Sequence, residues 1–219
     1  VLKKAGWVNV YKFFTKKHIW PRGFALEKIN STISKKLKTL KVVCPIQQGL
    51  ADKNPDVDAI YRLTSTLPVK FNSFKNISLG SGSICPFNSQ NTGWLSEAYP
   101  LMYLPSYCSF RMTDIWRSFI AQRVAWTCGW NILFHSSSVV QERNKHNLIR
   151  DFEEEVSGYT NNFEIMNKLI KLKLKTGTEN IIYNMILCYK ELIQMKLIDK
   201  KELVLLNAWF LDLKSTLKK

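Results

Sequence analysis

Two short stretches of this 219-residue chain hold most of the side chains able to do chemistry. The first is Pro86-Phe87-Asn88-Ser89-Gln90-Asn91-Thr92; the second is Arg111-Met112-Thr113-Asp114-Ile115-Trp116-Arg117. A side-chain amide both donates and accepts, so Asn88, Gln90 and Asn91 suit the hydroxyls of a sugar. Asp114 opens a predicted helix between Arg111 and Arg117, where a carboxylate is favoured by the helix N-terminus and can take a proton from an acceptor hydroxyl. Arg111 or Arg117 would hold that carboxylate or a departing diphosphate, and Trp116 would offer an aromatic contact to substrate. Asp114 serves equally well as a plain helix cap in a structural ion pair. As a group these residues describe a sugar or nucleotide-sugar site.

Asp56-Val57-Asp58 spells Asp-x-Asp, a pattern whose hard carboxylate oxygens suit Mg²⁺ or Mn²⁺ against a nucleotide diphosphate. Asp58 is a candidate ligand by that reading; by the other it caps a turn and pairs with Arg62. His135 follows a predicted strand, where an imidazole would complete a metal site or contact a diphosphate. His146 lies on a predicted helix and His18 beside a lysine pair. The chain has no P-loop, no dinucleotide glycine fingerprint and no Ser/His/Asp order. Its five cysteines form no CxxC pair, which argues against a zinc site and for free thiols, with a Cys85–Cys108 bridge as the open alternative.

These residues need a scaffold. Val42 to Ile46 is β-branched and predicts a short strand, and the alternation of Val57, Ala59, Tyr61 and Leu63 with polar neighbours predicts a second. Residues 78–92 are rich in Gly, Ser, Asn and Pro and read as a loop. From Thr113 or Asp114 a helix is expected to about Cys128, with Ile115, Trp116, Phe119, Ile120 and Val124 on its apolar face and Gly129 ending it. Asn131–Phe134 predicts a strand and Glu142–Glu155 a polar helix. Beyond Gly158, apolar residues recur at helical spacing around Ile165–Leu172, Ile182–Ile193 and Leu203–Leu213. The expected organisation is an α/β domain over 1–160 with the chemistry and a helical tail over 161–219 serving as scaffold or interaction surface.

The formal net charge is +15. Residues 1–70 carry 14 Lys/Arg against 4 Asp/Glu, whereas residues 151–219 carry 11 against 10. Such a field attracts anions. The run Lys35-Lys36-Leu37-Lys38-Thr39-Leu40-Lys41 has no stacking aromatic, and no nucleic-acid module is present, so nucleic acid is not the expected partner. No run reaches the roughly 18 apolar residues of a membrane span. The chain opens on Val1-Leu2-Lys3-Lys4 and reads like the inside of a domain, so a fragment is expected.

Several words in order carry a likeness: Asn54-Pro55-Asp56-Val57-Asp58-Ala59-Ile60-Tyr61-Arg62-Leu63, Cys85-Pro86-Phe87-Asn88-Ser89-Gln90-Asn91-Thr92, the Arg111–Arg117 stretch, Gln141-Glu142-Arg143-Asn144-Lys145-His146-Asn147, and Trp20-Pro21-Arg22-Gly23-Phe24. Over roughly residues 6–160 the chain resembles the STELLO family of glycosyltransferases. The resemblance implies the C-terminal portion of a GT-A-like, Rossmann-like mixed sheet, lacking its amino-terminal half and ending in a helical extension. It implies transfer of a sugar from a nucleotide-sugar donor to a glycan or other hydroxyl acceptor, with a divalent cation. By position it likens Asp114 to the acceptor-side acid and His135 to a late metal ligand, and puts the main metal motif upstream of Val1. It also implies a Golgi membrane protein with a lumenal catalytic domain and an anchor outside this chain. Plant members are associated with cellulose synthase assembly, so the alternative is a non-catalytic assembly factor for a polysaccharide synthase complex.

Overall fold

Hydrogen-bonding needs and burial select a small mixed sheet flanked by helices. The computed structural model describes residues 1–32, 37–72, 75–142, 144 and 146–216. Among these the strands are β1 (Gly6–Trp7), β2 (Ile46–Lys53), β3 (Ile77–Leu79), β4 (Ser83–Ile84), β5 (Thr92–Trp94) and β6 (Ile132–Gln141). The α-helices are α1 (Ala59–Thr64), α2 (Thr113–Thr127), α3 (Leu148–Lys171), α4 (Ile181–Gln194) and α5 (Glu202–Thr216). The main sheet has the order β3-β6-β2-β5. Its centre is the parallel pair β2/β6, from Ile46 opposite Ile132 to Lys53 opposite Gln141, with the register broken around Gly49–Ala51; β3 and β5 are antiparallel edges. A short parallel pair, β1/β4, lies apart from it.

The core runs from the sheet into α2. Ile46, Leu50, Ile132 and Phe134 cluster with Ile115, Phe119, Ile120 and Val124, each such side chain contributing about 1.5–3 kcal/mol when fully buried. Helix α2 forms where its apolar residues predicted, and Gly129 follows it with φ +71°. It packs on α3 and α4, and α5 packs on α4. Two glycines permit close approaches. Gly23 has φ +81° and passes so near α2 that a Cβ would lie 2.3 Å from Ile115 Cγ2; at Gly158 in α3 a Cβ would lie 2.2 Å from Met112 Sδ.

Three elements differ from expectation. Residues 57–64 form no strand: Asp58 accepts the Tyr61 N–H at 2.8 Å, Glu155 accepts the Ala59 N–H at 2.8 Å, and these caps start α1. The strand predicted for Val42–Ile46 begins at Ile46 and continues through Gln47-Gln48-Gly49, because the Gln48 amide is buried and satisfied. The polar helix predicted from Glu142 begins at Leu148, where the Asn147 side chain accepts from the Ile149 and Arg150 N–H groups, and it continues past residue 160 to Lys171. The three apolar-periodic tail segments are helical. Buried Glu202 of α5 accepts from the Tyr103 hydroxyl and from the Ser106 and Tyr107 N–H groups, docking the tail on residues 103–107. All five cysteines are free thiols, so no Cys85–Cys108 bridge forms. Among the described residues no helix is long and apolar enough to cross a membrane. Lys35, Lys36, Arg143 and Lys145 lie outside the described residues.

Candidate functional site

The Trp20–Phe24 turn, the Asp56 loop, the Ser89 loop and the start of α2 meet at one guanidinium. Arg22 donates from Nε to Asp56 Oδ1 at 2.8 Å and from Nη2 to Asp56 Oδ2 at 2.9 Å. The same Nη2 reaches Asp114 Oδ1 at 3.0 Å and Oδ2 at 2.9 Å, and Nη1 donates to the Arg111 carbonyl. Only 7% of the Arg22 side chain is exposed, against 14% for each carboxylate. Burial alone would weaken the Arg22 cation, but Asp56 and Asp114 outweigh it and raise its pKa. Burial likewise pushes the Asp56 carboxyl up, and Arg22, seconded by Arg111 and Arg62, brings it below its ordinary value.

Asp114 sits in the first turn of α2 and also accepts the Ser89 N–H at 3.1 Å. The flanking arginines predicted to hold it are engaged elsewhere. Arg111 donates to Glu155 Oε1 from Nε at 2.9 Å and from Nη2 at 2.5 Å. Arg117 donates to Ser89 Oγ at 3.0 Å and lies over the rings of Trp94 and Phe87, with its guanidinium carbon 4.9 Å and 5.5 Å from their centroids. Burial brings the Arg117 pKa down to about 10. Glu155, fully buried, also accepts the Tyr159 hydroxyl at 2.5 Å, and so joins α3 to α1 and to the turn before α2.

Two small clefts flank the Arg22 hub. One, about 230 Å³, is lined by Arg22, Ser89, Leu104, Phe110, Thr113 and Asp114, with Arg111 at its edge. The other, about 190 Å³, is lined by Asn54, Asp56, Arg62, Gln90, Gln141 and His146, again with Arg111. Each is smaller than the roughly 300–1,000 Å³ of a drug-sized site.

The structure brings Asp114, Arg111 and Gln90 to these clefts and disperses the other predicted site residues. Trp116 is buried in the core, where its Nε1 donates to Asn162 Oδ1 at 2.9 Å, so the ring has no face to offer a substrate. Asn88 is buried; its Oδ1 accepts the Gln90 N–H at 2.9 Å and its own N–H donates to Gln48 Oε1, so it shapes the loop. The Asn91 amide is spent on the Leu50 carbonyl at 3.2 Å and Ser138 Oγ at 2.9 Å. Arg117 lies behind Ser89, which it holds. His135 sits on β6 opposite Gly49, its Nδ1 3.0 Å from the Ser136 carbonyl oxygen. Asp58 caps α1 and accepts Trp20 Nε1–H at 2.5 Å. Cap and indole each engage one of its oxygens, which gives Asp58 the part of a helix cap. Among the described residues no group of three or more His, Cys, Asp or Glu could hold a metal ion. The sequence reading missed Arg22, Ser89 and Glu155. For Arg22 the signal was the Pro21-Arg22-Gly23 turn, which fixes where the arginine points.

Burial pushes the Asp58 carboxyl up to about 6, outweighing its bonds from Tyr61 and Trp20, with Glu155 and Asp56 adding to the rise. Native Asp58 therefore stays protonated over a range in which the unfolded chain has released the proton. Its contribution to stability is complete below about pH 4 and is lost as pH rises from about 4 to 6, to the extent of about 3 kcal/mol. Asn is uncharged like the protonated acid and, at every pH alike, gives up one of the two bonds Asp58 accepts. Denaturant midpoints for wild type and Asp58→Asn, measured at pH 4 and pH 7, are expected to diverge in favour of the variant at the higher pH; parallel behaviour would remove Asp58 as the cause.

The mixed sheet with its helical carboxy-terminal region is consistent with a glycosyltransferase-like α/β domain. Residues 111–218 match the family model of the STELLO glycosyltransferases. The chain is 31% identical over 140 residues to probable glycosyltransferase STELLO2 of Arabidopsis thaliana, covering 60% of this chain and 18% of that protein. It is 30% identical over 130 residues to probable glycosyltransferase STELLO1 of the same plant, covering 56% of this chain and 17% of that one. The chain thus resembles the STELLO glycosyltransferases and spans about a fifth of the length of the relatives it matches. The family match begins at Arg111 and takes in the helical tail, which the sequence words had left outside the likeness.

Proposed function

We propose that this chain is the acceptor-side portion of a GT-A-like glycosyltransferase that moves a sugar from a nucleotide-sugar donor to a hydroxyl of a glycan. The observation that carries the reading is the Asp114 carboxylate, fixed by Arg22 and the Ser89 N–H in the lining of a cleft that also exposes Leu104 and Phe110. In that role Asp114 accepts the proton of the acceptor hydroxyl as its oxygen bonds to the anomeric carbon. The bond from that carbon to the diphosphate breaks, and the nucleoside diphosphate leaves with the electron pair. Gln90 and Asn54 bind sugar hydroxyls in the adjoining cleft. Arg22 holds the carboxylate in place, so it is a positioning residue.

The STELLO likeness also supports a Golgi setting with a lumenal domain, a membrane anchor outside this chain, and work beside a polysaccharide synthase complex. For the divalent cation expected of such enzymes the reading assigns no ligand among the described residues. Titration calorimetry of UDP- and GDP-sugars, with and without Mn²⁺, tests the proposal in the full-length protein carrying these residues. Metal-dependent binding of one donor is expected, and absence of binding by any of them would overturn the reading.

A further inference from the structure

A groove of about 590 Å³, which shares no lining residue with the two clefts, opens between residues 12–17 on one side and Pro68, Lys70, Asn72 and Lys75 on the other. Its size falls within the roughly 300–1,000 Å³ of ligand sites. Five lysines line it, Lys12, Lys16, Lys17, Lys70 and Lys75, and no acidic side chain does. Lys17 ties the two walls, its Nζ donating to the Pro68 carbonyl at 3.2 Å, and Lys12 Nζ is turned to the Ser31 carbonyl at 3.0 Å, outside the lining. The exposed Lys16, Lys70 and Lys75 form no ion pair with the described residues. Five like charges lining one groove repel one another, and an anionic ligand would relieve that repulsion.

Which anion fits follows from the rest of the lining. Asn72 and Thr15 supply neutral donors and acceptors, and Phe13 and Pro68 supply an apolar floor. Hydroxyls, an apolar ring face and repeated negative charge occur together in an acidic carbohydrate. Single-stranded nucleic acid would need exposed aromatic faces for its bases, whereas of the aromatics among the described lining residues Phe14 is buried and Phe13 half-buried. A bilayer would need protruding apolar side chains, and this surface is concave.

We propose that this groove binds a linear acidic glycan, carboxylated or sulfated, as a subsite separate from the Asp114 cleft that holds the acceptor chain. The proposal rests on the transferase reading for its purpose, but its test does not. Fluorescence anisotropy of a labelled galacturonate hexamer is measured on the whole chain in wild type, in Lys16→Glu/Lys70→Glu/Lys75→Glu, and in the corresponding triple Gln variant. Wild type is expected to bind, with affinity falling as salt rises from 50 to 200 mM. The triple Glu variant, which replaces three attractions by three repulsions, is expected to bind at least about tenfold more weakly, and the Gln variant to lie between. A heparin hexamer in place of galacturonate separates sulfate from carboxylate preference, and binding of either sustains the proposal. It falls if neither binds, if the variants bind as wild type does, if a neutral cellohexaose competes equally, or if duplex DNA or phosphatidylserine vesicles bind more tightly through the same lysines. Glycan binding without sugar transfer would leave the groove standing and remove the transferase; transfer without glycan binding would do the reverse.

Discussion

Replacing Asp114 by Asn is expected to lower the rate of sugar transfer by the full-length protein about a hundredfold or more, within the 10²–10⁴ that a positioned general base contributes. Asn keeps the size of the side chain and can still accept one hydrogen bond from Arg22, so the fold is preserved while the proton acceptor is lost. The loss should fall on kcat, with donor binding by calorimetry unchanged, because in this reading Asp114 meets the acceptor hydroxyl and the donor is held elsewhere. Unchanged turnover would return Asp114 to the role of a helix cap in a structural ion pair. A fall in donor affinity with kcat intact would make it a binding residue for the other substrate.

The second large effect concerns the residue behind it. Arg22→Met keeps much of the side-chain length and removes the cation, leaving Asp56 and Asp114, which share one guanidinium nitrogen, with no counter-charge between them. Breaking a buried ion pair by deleting one partner costs about 3–5 kcal/mol, and at about 2–4 °C per kcal/mol for a chain of this size the melting temperature should drop by about 6–20 °C. The sign of the pH dependence is specific. Arg22 holds the Asp56 carboxyl below its ordinary value, so the stability from this pair is complete above the unfolded carboxylate pKa near 4 and fades as pH falls below it. In the variant the two carboxylates crowd one site, and one of them takes up a proton as pH falls, substituting for the missing cation. The gap between wild type and variant should therefore be widest near pH 7 and narrow toward pH 4. A gap below about 1 kcal/mol, or one that does not change with pH, would show that Arg22 does not hold the two carboxylates together.

Several parts of this architecture were legible before any coordinate. Helix α2 could be placed because Asp114 stands in its first turn, a broad apolar run follows, and a glycine ends it; all three signals are local and agree. The tail helices were equally legible, since each repeats apolar residues at the spacing that puts them on one face. Residues 57–64 misled, because an alternation over so few positions fits a strand or a short buried helix equally well. The choice fell to the Asp58 cap and to Glu155, which lies 96 positions away from Ala59. Trp116 misled for a similar reason: an aromatic beside an acid reads as a substrate platform until the packing of α3 shows its indole bonded to Asn162.

By itself the sequence determined the chemistry on offer and its local supports: a carboxylate at a helix start, an amide-rich loop beside it, an excess of cations in the first third, and a helical end. Only the tertiary structure decided which charges meet. Arg22 reaches Asp114 across 92 positions and displaces the neighbouring Arg111 and Arg117 as its partner, while Asp58 and His135, each read separately as a candidate ligand, bond to Trp20 and to the Ser136 carbonyl. The reason is physical. A helix cap needs only the next few residues, whereas a buried ion pair forms wherever the packed core leaves two opposite charges within reach and excludes water from both.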